Sequence, residues 1–472
     1  MKVMMVQIPH FYGDNRRPPT LYPLGIGYLA SALKSHHELV PMDLWADNAN
    51  VDKAMRMIGK DAPDVFCVSV YSTQYPYFKE LAAAIKGAYP NTRIIAGGPG
   101  ATFSYRTFLE KTCVDFCVIG EGEVTLKELL ANMDDPGEVE GIAYKKDGSV
   151  FVTERRKQIA DIDSLPAPDR SFFDIERYIA NNIKMRGNFK KSRVANIIAG
   201  RGCPYSCTFC SKTFSGIRLR SIAGIAKEIE NVKEAYNINA VEFNDELVVV
   251  AKKRIMELCA SLKKLDVKWG CQGRIDLVDE EILKAMKSAN CLYIGYGVES
   301  YTQNILDSMK KQTRIEEIVP VIKMTKAIGL TPIIQYMYGF PGEDDSSIEK
   351  TYDFFKEIDS PYMGFTTTPL PGTEIYNEAL GRGLIGDEEE YLKKITAGYN
   401  LFSPVINMTS FNNEEFVSKK LALMKKVNRR YYSRHPLVYL RTAARAAWQT
   451  ALFQFSNPGR FLRRLMARLS LA

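Results

Sequence analysis

At residues 202–210 the chain reads Gly202-Cys203-Pro204-Tyr205-Ser206-Cys207-Thr208-Phe209-Cys210, which holds three of its nine cysteines in the spacing C-x3-C-x2-C. Three thiolates on one short loop can hold three corners of an iron–sulfur cube, which leaves the fourth iron without a protein ligand. An open metal position is typical of a catalytic site, whereas structural sites are closed. The absence of a nearby histidine argues against a zinc site. The spacing therefore predicts a catalytic metal cluster on Cys203, Cys207 and Cys210.

The cysteine stretch follows the first of six short apolar runs that alternate with helical patterns. The runs predicted as strands are Val194–Ile198, Ala240–Asn244, Lys268–Gln272, Leu292–Gly297, Pro332–Met337 and Met363–Thr367. The helices predicted between them are Ile222–Tyr236, Lys253–Lys264, Glu280–Ser288, Ile315–Ile328 and Ser346–Ile358. Six such units predict an open, partial (β/α)6 barrel rather than a closed eight-fold one.

A second alternating series occupies the N-terminal part of the chain. Its predicted strands are Val3–Ile8, Leu39–Asp43, Val65–Val70, Arg93–Gly97 and Phe116–Gly120, and its predicted helices are Leu24–Lys34, Val51–Gly59, Tyr77–Tyr89 and Ser104–Lys111. This alternation predicts a doubly wound parallel sheet, with a ligand outside the carboxyl ends of its strands. A hairpin is expected at Gly141–Val152, with Asp147-Gly148 as its turn. The fold class is therefore α/β in both series.

Four regions follow from these patterns. Residues 1–155 form the first α/β domain, and residues 156–190, with Pro166 and Pro168, form a linker. Residues 191–370 form the partial barrel, and residues 371–472 form a helical C-terminal extension that ends in a basic tail.

Composition restricts the class of protein. An odd number of cysteines in a long chain argues against a secreted disulfide framework and favours a reducing cytoplasm. We find no signal peptide pattern at the N-terminus and no apolar run suited to a membrane span. The segment Phe416–Ala472 holds 13 Lys or Arg and no Asp or Glu, so the preceding residues hold 50 basic and 55 acidic side chains. A mildly acidic body argues against a nucleic-acid-binding protein.

The cysteine motif, in this loop of a partial barrel, resembles the radical S-adenosylmethionine (SAM) superfamily. The segment Gly297-Val298-Glu299-Ser300 is similar to that family's ribose-binding segment. The resemblance implies a 4Fe–4S cluster whose open iron binds SAM, and reductive cleavage of SAM to a 5′-deoxyadenosyl radical. It also implies ribose binding by Gly297 and Glu299, pairing of Arg274 with the methionine carboxylate, and a place beside the adenine for Phe209.

The N-terminal domain resembles that of the cobalamin-dependent branch of this superfamily. The similarity rests on Pro23-Leu24-Gly25, Asp43, Gly97-Gly98 and Gly120-Glu121-Gly122-Glu123. It implies that small or polar residues after the strands make room for cobalamin, namely Ser69, Ser72, Thr73, Gly97, Gly98, Gly120 and Glu121. The alternative is a flavodoxin-like domain without a ligand.

The loop after the first strand bears on the cobalt ligand. Many cobalamin domains carry Asp-x-His-x-x-Gly there, whereas this chain has His10 and Gly13 without the Asp. A metal-ligating histidine usually needs a carboxylate to orient it, so we predict that His10 does not bind cobalt.

The resemblance implies a C-methyltransferase that acts on an unactivated carbon of a hydrophobic substrate, such as a tetrapyrrole or an isoprenoid lipid. The alternative is an oxidoreductase similar to the anaerobic magnesium-protoporphyrin monomethyl ester cyclase. A cobalamin carrier would not need the open cluster, and methylthio transfer would need a second triple of cysteines. Cleavage of SAM requires an electron donor such as flavodoxin or ferredoxin.

The C-terminal tail is basic and aromatic. In Phe461–Leu469 the apolar residues share one helical face and arginines occupy much of the rest. This pattern predicts peripheral binding to an anionic membrane, at its inner face, without a spanning helix. The alternative is a charged surface helix packed on the body of the protein.

Overall fold

The computed structural model describes residues 1–10, 18–185, 189, 191–398, 404–442 and 444. Its first sheet has seven strands: β1 (Lys2–Gln7), β2 (Glu38–Asp43), β3 (Val65–Ser69), β4 (Arg93–Gly97), β5 (Phe116–Val118), β6 (Ile142–Lys146) and β7 (Ser149–Val152). The strand order is β2-β1-β3-β4-β5-β6-β7, and the first five strands are parallel. The predicted hairpin is confirmed as the antiparallel pair β6–β7, which extends the β5 edge.

Five helices cover this sheet: α1 (Leu24–Leu33), α2 (Val51–Ile58), α3 (Tyr75–Ala88), α4 (Gly98–Lys111) and α5 (Gly122–Ala131). Two of them depart from prediction. Helix α4 begins at Gly98, with Pro99 in the first turn, where its missing N–H costs nothing; a kink at Ser104 divides it, and the segment after the kink is the predicted helix Ser104–Lys111. Helix α5 was not predicted, because its first turn lies within the glycine-rich stretch that we assigned to a loop.

The region predicted as a linker, residues 156–190, contains helix α6 (Ile175–Met185). It also carries a buried ion pair to the barrel, since Arg170 Nη2 lies 2.7 Å from Glu228 Oε1. Both side chains are about one-twentieth exposed (4% and 5%). This part of the chain is therefore packed against the barrel.

The second sheet is the predicted partial barrel. Its parallel strands are β8 (Val194–Ile197), β11 (Ala240–Phe243), β12 (Lys268–Gly273), β13 (Cys291–Glu299), β14 (Thr331–Tyr338) and β15 (Gly364–Thr366), in sequential order. Its helices are α7 (Ile222–Tyr236), α8 (Lys252–Leu265), α9 (Glu280–Ser288), α10 (Gln303–Ser308), α11 (Ile315–Ala327) and α12 (Asp345–Glu357). A short antiparallel hairpin, β9 (Gly200–Gly202) with β10 (Ile217–Leu219), was not predicted and interrupts the first unit.

The C-terminal extension is helical in the part that the structure describes, and it joins both domains. Its helices are α13 (Glu374–Gly381), α14 (Glu388–Gly398) and α15 (Asn413–Arg434). Helices α13 and α14 complete the core of the first domain, where Tyr376 and Leu392 belong to the same buried cluster as Val6. Helix α15 instead packs on the barrel through Phe416 and Val427.

The predicted amphipathic segment Phe461–Leu469 lies outside the described residues. No helix in the described ranges is both long enough and apolar enough to cross a membrane.

Replacement of Phe416 by Ala tests how strongly α15 is bound to the barrel. The Phe416 side chain is fully buried, and its ring meets that of Tyr338 edge-on at 4.9 Å between centroids. We expect a loss of about 3–5 kcal/mol in the free energy of unfolding, measured by urea denaturation. The matched control, Phe365→Ala, removes a ring that is 50% exposed and should change stability little. Equal losses in the two variants would contradict this packing.

Candidate functional site: a cluster loop and a cavity between two sheets

The cysteine loop is held at its base by the hairpin β9–β10. Gly202, with φ +86°, lies so close to the Gly216 carbonyl oxygen that a side chain there would collide with it. Inside the loop, the Thr208 N–H donates to the Met309 carbonyl at 3.0 Å, and the Ile375 N–H donates to the Thr208 carbonyl at 3.1 Å. The hairpin, the loop after α10 and the start of α13 thus position the three cysteines together.

The turn that enters this hairpin is anchored by Asp245. Its carboxylate accepts hydrogen bonds from the backbone N–H of Ala199 (2.8 and 2.9 Å) and of Gly200 (2.6 Å). Burial raises the pKa of Asp245 to about 8. The neighbouring Glu246 accepts from the Gly202 N–H at 3.3 Å. The segment Asn244-Asp245-Glu246 therefore connects the second barrel strand to the cluster loop.

The thiols of the motif are more accessible than five of the other six cysteines, and the exception, Cys113, is exposed. Cys203 and Cys207 are half-buried and Cys210 is exposed, whereas Cys67, Cys117, Cys259, Cys271 and Cys291 are buried. A hydrogen bond from Cys210, together with the nearby charges of Lys311 and Arg274, lowers the pKa of Cys207 to about 6. Burial instead raises the pKa of Cys67 and Cys259 to about 12.

The chemistry of the donor set fits an iron–sulfur cube, because three thiols lie on one short loop. No three His, Cys, Asp or Glu side chains among the described residues converge closely enough to hold one metal ion. Thiolates that bind three separate corners of a cluster need not converge on one point. The loop therefore suits the 4Fe–4S cluster that the spacing predicts.

The predicted SAM-binding residues lie around this loop. The Arg274 guanidinium stacks 3.6 Å from the ring centroid of Tyr205, and it donates to Asp276 (2.9 Å) and to the Lys311 carbonyl (2.6 Å). Glu299 pairs with the Lys311 ammonium at 3.2 Å, and both side chains are buried. Phe209 also lies near Lys311, whose Nζ is 5.8 Å from the ring centroid.

Lys311 was missed by sequence reasoning. It follows α10, twelve positions beyond Glu299, and no motif or periodicity distinguishes it from the solvated Lys310 next to it. Gly297 is explained by this pair, because a Cβ there would lie 2.8 Å from the Lys311 Nζ and would collide with Glu299. The assignments of Phe209, Arg274, Gly297 and Glu299 to SAM remain predictions.

The residues predicted to bind cobalamin meet at one cavity of about 880 Å³. The cavity is lined by Ser69, Ser72, Thr73, Gly97, Gly98, Gly120 and Glu121 from the first domain. Opposite them, Ser211, Thr213 and Phe214 of the cluster loop and Asn244 and Glu246 of the barrel complete the wall. The three cysteines are not among the lining residues. A Cβ at Gly25 or Gly120 would enter open space, so the missing side chains leave room for a large ligand.

His10 lies in the wall of this cavity. Its ring is 4.4 Å from that of Trp45 and 4.7 Å from that of Tyr71, measured between centroids. Burial lowers the pKa of His10 to about 4, so the imidazole is neutral at physiological pH. That His10 does not bind cobalt remains a prediction.

Two protein-family models match parts of this chain. Residues 15–130 match the model of the B12 binding domain, and residues 197–355 match that of the radical SAM superfamily. An uncharacterized methyltransferase of Pyrococcus horikoshii is 29% identical over 432 residues, which cover 89% of this chain and 91% of that protein. The anaerobic magnesium-protoporphyrin IX monomethyl ester cyclase of Rubrivivax gelatinosus is 27% identical over 440 residues, covering 89% and 76%.

A solved structure shares the fold. The radical SAM methyltransferase TsrM from Kitasatospora setae superposes with a TM-score of 0.66 and 16% identity, over 81% of this chain and 76% of that one. The cluster loop on a partial barrel defines a radical SAM enzyme. With its cobalamin-binding domain, the chain belongs to the cobalamin-dependent radical SAM enzymes, and its cofactors are a 4Fe–4S cluster, SAM and cobalamin.

Alanine at Cys203, Cys207 and Cys210 should abolish the cluster. We expect loss of bound iron, of the iron–sulfur absorption and of 5′-deoxyadenosine formation after anaerobic reconstitution, because three thiolates hold three corners. Cys259→Ala is the matched control, since that buried thiol lies in α8 and outside the loop. An equal loss of iron in the Cys259 variant would contradict the assignment.

Proposed function

We propose that this enzyme transfers a methyl group to an unactivated carbon of a hydrophobic substrate, a tetrapyrrole or an isoprenoid lipid. One observation carries the proposal: a single cavity joins the cobalamin-binding loops of the first sheet to the cluster loop of the second. When bound, cobalamin supplies a methyl carrier, and the cluster with SAM supplies an agent that abstracts hydrogen. The cavity reaches the cluster loop at Ser211, directly after Cys210, although none of the three cysteines lines it.

The cavity wall supports a hydrophobic substrate. Leu21 and Tyr22 from the first domain, Phe214 from the cluster loop and Leu370 after the last strand contribute apolar surface. Apolar walls with few polar groups are typical of small-molecule sites, and they exclude the water that would quench a reactive intermediate.

The histidines provide no general base for proton transfer in this cavity, whereas hydrogen abstraction needs none. His435 is the only histidine beyond the first domain, and it binds Asp359 at 2.8 Å under α15. His10 is the only histidine in the cavity wall, and its pKa of about 4 makes it a weak base. A general base suited to neutral pH needs a pKa near 7.

The cyclase reaction is the second candidate, favoured by the similarity to the Rubrivivax gelatinosus protein over 89% of this chain. The two reactions are distinguished by incubating the enzyme and a tetrapyrrole or isoprenoid substrate with trideuteromethyl SAM, oxygen-labelled water and cobalamin. Flavodoxin or ferredoxin serves as the electron donor. We expect a tetrapyrrole or isoprenoid product that gains the trideuteromethyl group. A product that instead gains oxygen from the water would overturn methyl transfer in favour of the cyclase.

The tail is proposed to hold the enzyme at an anionic membrane, so that the substrate is taken from the bilayer. Leu437 and Leu440, three positions apart and hence on one helical face, are 68% and 61% exposed. The flanking Arg434 side chain is 56% exposed. Each Lys or Arg at an anionic surface contributes roughly 1 kcal/mol. The sequence after Glu415 holds no acidic residue, although Asp359 pairs with Arg434 from the barrel side.

Truncation after His435 should release the protein from anionic liposomes, because it removes Leu437, Leu440 and the arginines that follow. This cut keeps α15 and its contact with Asp359 intact, so cluster assembly should survive. Sedimentation with liposomes at low and high salt measures binding, and high salt should weaken it for the intact chain. A first pair of substitutions, Leu437→Ser with Leu440→Ser, tests the apolar contact with the membrane. Its matched control is a second pair, Leu380→Ser with Leu384→Ser. Both members of the second pair are 41% exposed elsewhere on the surface, and only the first pair should reduce binding.

A further inference from the structure

Glu121 belongs to a buried charge network that joins the first domain to the base of the cluster loop. Its carboxylate accepts from Arg201 Nη1 at 2.7 Å and from Arg218 Nη1 at 2.8 Å. The neighbouring Glu123 accepts from Arg201 Nη2 at 2.6 Å. The side chains of Glu121, Glu123 and Arg201 are 5–9% exposed, and that of Arg218 is 13% exposed. Solvent therefore screens these ion pairs little.

The two arginines are paired across the hairpin that carries the cluster loop. Arg201 in β9 and Arg218 in β10 are register partners, and the cysteine loop is the connection between these strands. A single carboxylate of the first domain thus binds both strands at the base of that loop. Arg201 is also 5.1 Å from the ring centroid of Tyr28 in α1, which adds a second contact to the first domain.

The linker closes the same network. The Ile159 N–H donates to Glu121 Oε2 at 2.8 Å, and Arg218 Nη1 donates to the Ile159 carbonyl at 2.6 Å. Burial alone would raise the pKa of Glu121, but the hydrogen bonds from Arg218, Arg201 and the Ile159 N–H outweigh it and hold that pKa below the usual value. The carboxylate is therefore ionised at physiological pH.

The location of Glu121 connects this network to cobalamin. It is the N-cap residue of α5, in the loop after β5 that lines the cavity. We propose that Glu121 is a positioning residue that locks the cluster-bearing hairpin onto the cobalamin-binding domain and so fixes the cluster relative to cobalamin. This role of Glu121 requires only that the cofactors are bound, and it is the same for either candidate reaction.

The alternative role for Glu121 is direct contact with cobalamin. The two roles predict different results when Arg218 is replaced, because Arg218 is not among the cavity-lining residues. If Glu121 acts through the hairpin, Glu121→Gln and Arg218→Gln should have the same effect. If Glu121 binds cobalamin, only the Glu121 variant should weaken cobalamin binding.

The experiment compares Glu121→Gln, Arg218→Gln and the double variant in the full chain with cluster and cobalamin bound. Hydrogen exchange of residues 200–219, measured by mass spectrometry, should accelerate roughly tenfold or more in each single variant, because a charged hydrogen bond is lost. The double variant should add little to either single variant, since both belong to one network. In the same variants, the distribution of the magnetic coupling between cob(II)alamin and the reduced cluster, measured by EPR, should broaden.

Two further variants separate positioning from general destabilisation. Glu128→Gln removes a different carboxylate of α5, one that pairs with Arg156 and does not touch the hairpin, so hairpin exchange and magnetic coupling should stay as in the unaltered enzyme. Glu121→Asp keeps the charge with a shorter reach and should restore part of the protection. Unchanged exchange and coupling in Glu121→Gln would overturn the proposal, as would weakened cobalamin binding in that variant with an unperturbed hairpin.

Discussion

The carboxyl ends of two parallel sheets face one cavity, and the rest of the structure depends on this constraint. In the first sheet the loops after β1, β3, β4 and β5 supply the wall, and in the second the loops after β8 and β11 do so. Parallel strands bring their following loops to the same edge, so each sheet contributes one coherent surface. Two surfaces of this kind enclose a volume that neither sheet could form alone.

The two domains are held in that arrangement by buried charged side chains, which form ion pairs with each other inside the protein. Glu121, Glu123, Arg201 and Arg218 are largely removed from water between the two domains. A buried charge is tolerated only when partners replace its hydration, and each of these four has at least one partner within 2.8 Å. Glu299 and Lys311 satisfy the same requirement on the far side of the cluster loop.

Much of the fold could be predicted because hydrophobic periodicity is a local property. The strands from Val194 to Thr367 and the helices Ile222–Tyr236 and Glu280–Ser288 are found within one or two residues of the predicted bounds. Prediction failed where structure depends on distant partners. The strands β9 and β10 have three residues each, too few for a pattern, and they form because the ends of the cluster loop pair with each other.

In the site, too, features with a local sequence pattern could be predicted, and those that depend on distant contacts could not. The spacing of Cys203, Cys207 and Cys210 is visible in the sequence because the three ligands lie on one loop. Lys311 carries no such signal, since its role comes from a contact with Glu299 that the barrel creates. Glu121 was assigned to cofactor binding because it follows a strand of the first sheet. Its carboxylate also pairs with two arginines at the base of the cluster loop, which only the tertiary structure reveals, and its assignment to cobalamin stays a prediction.

The path of the C-terminal extension bears on how the chain acquires its shape during synthesis. Helices α13 and α14 complete the core of the first domain, yet in the sequence the whole barrel lies between that domain and these two helices. A nascent chain therefore leaves the ribosome with the first domain translated but its apolar surface uncovered, until residues 374–398 emerge. Domains generally fold as units in order of synthesis, but here the first domain cannot be completed until the barrel has been translated. Cobalamin would enter a completed pocket only after translation has passed the barrel.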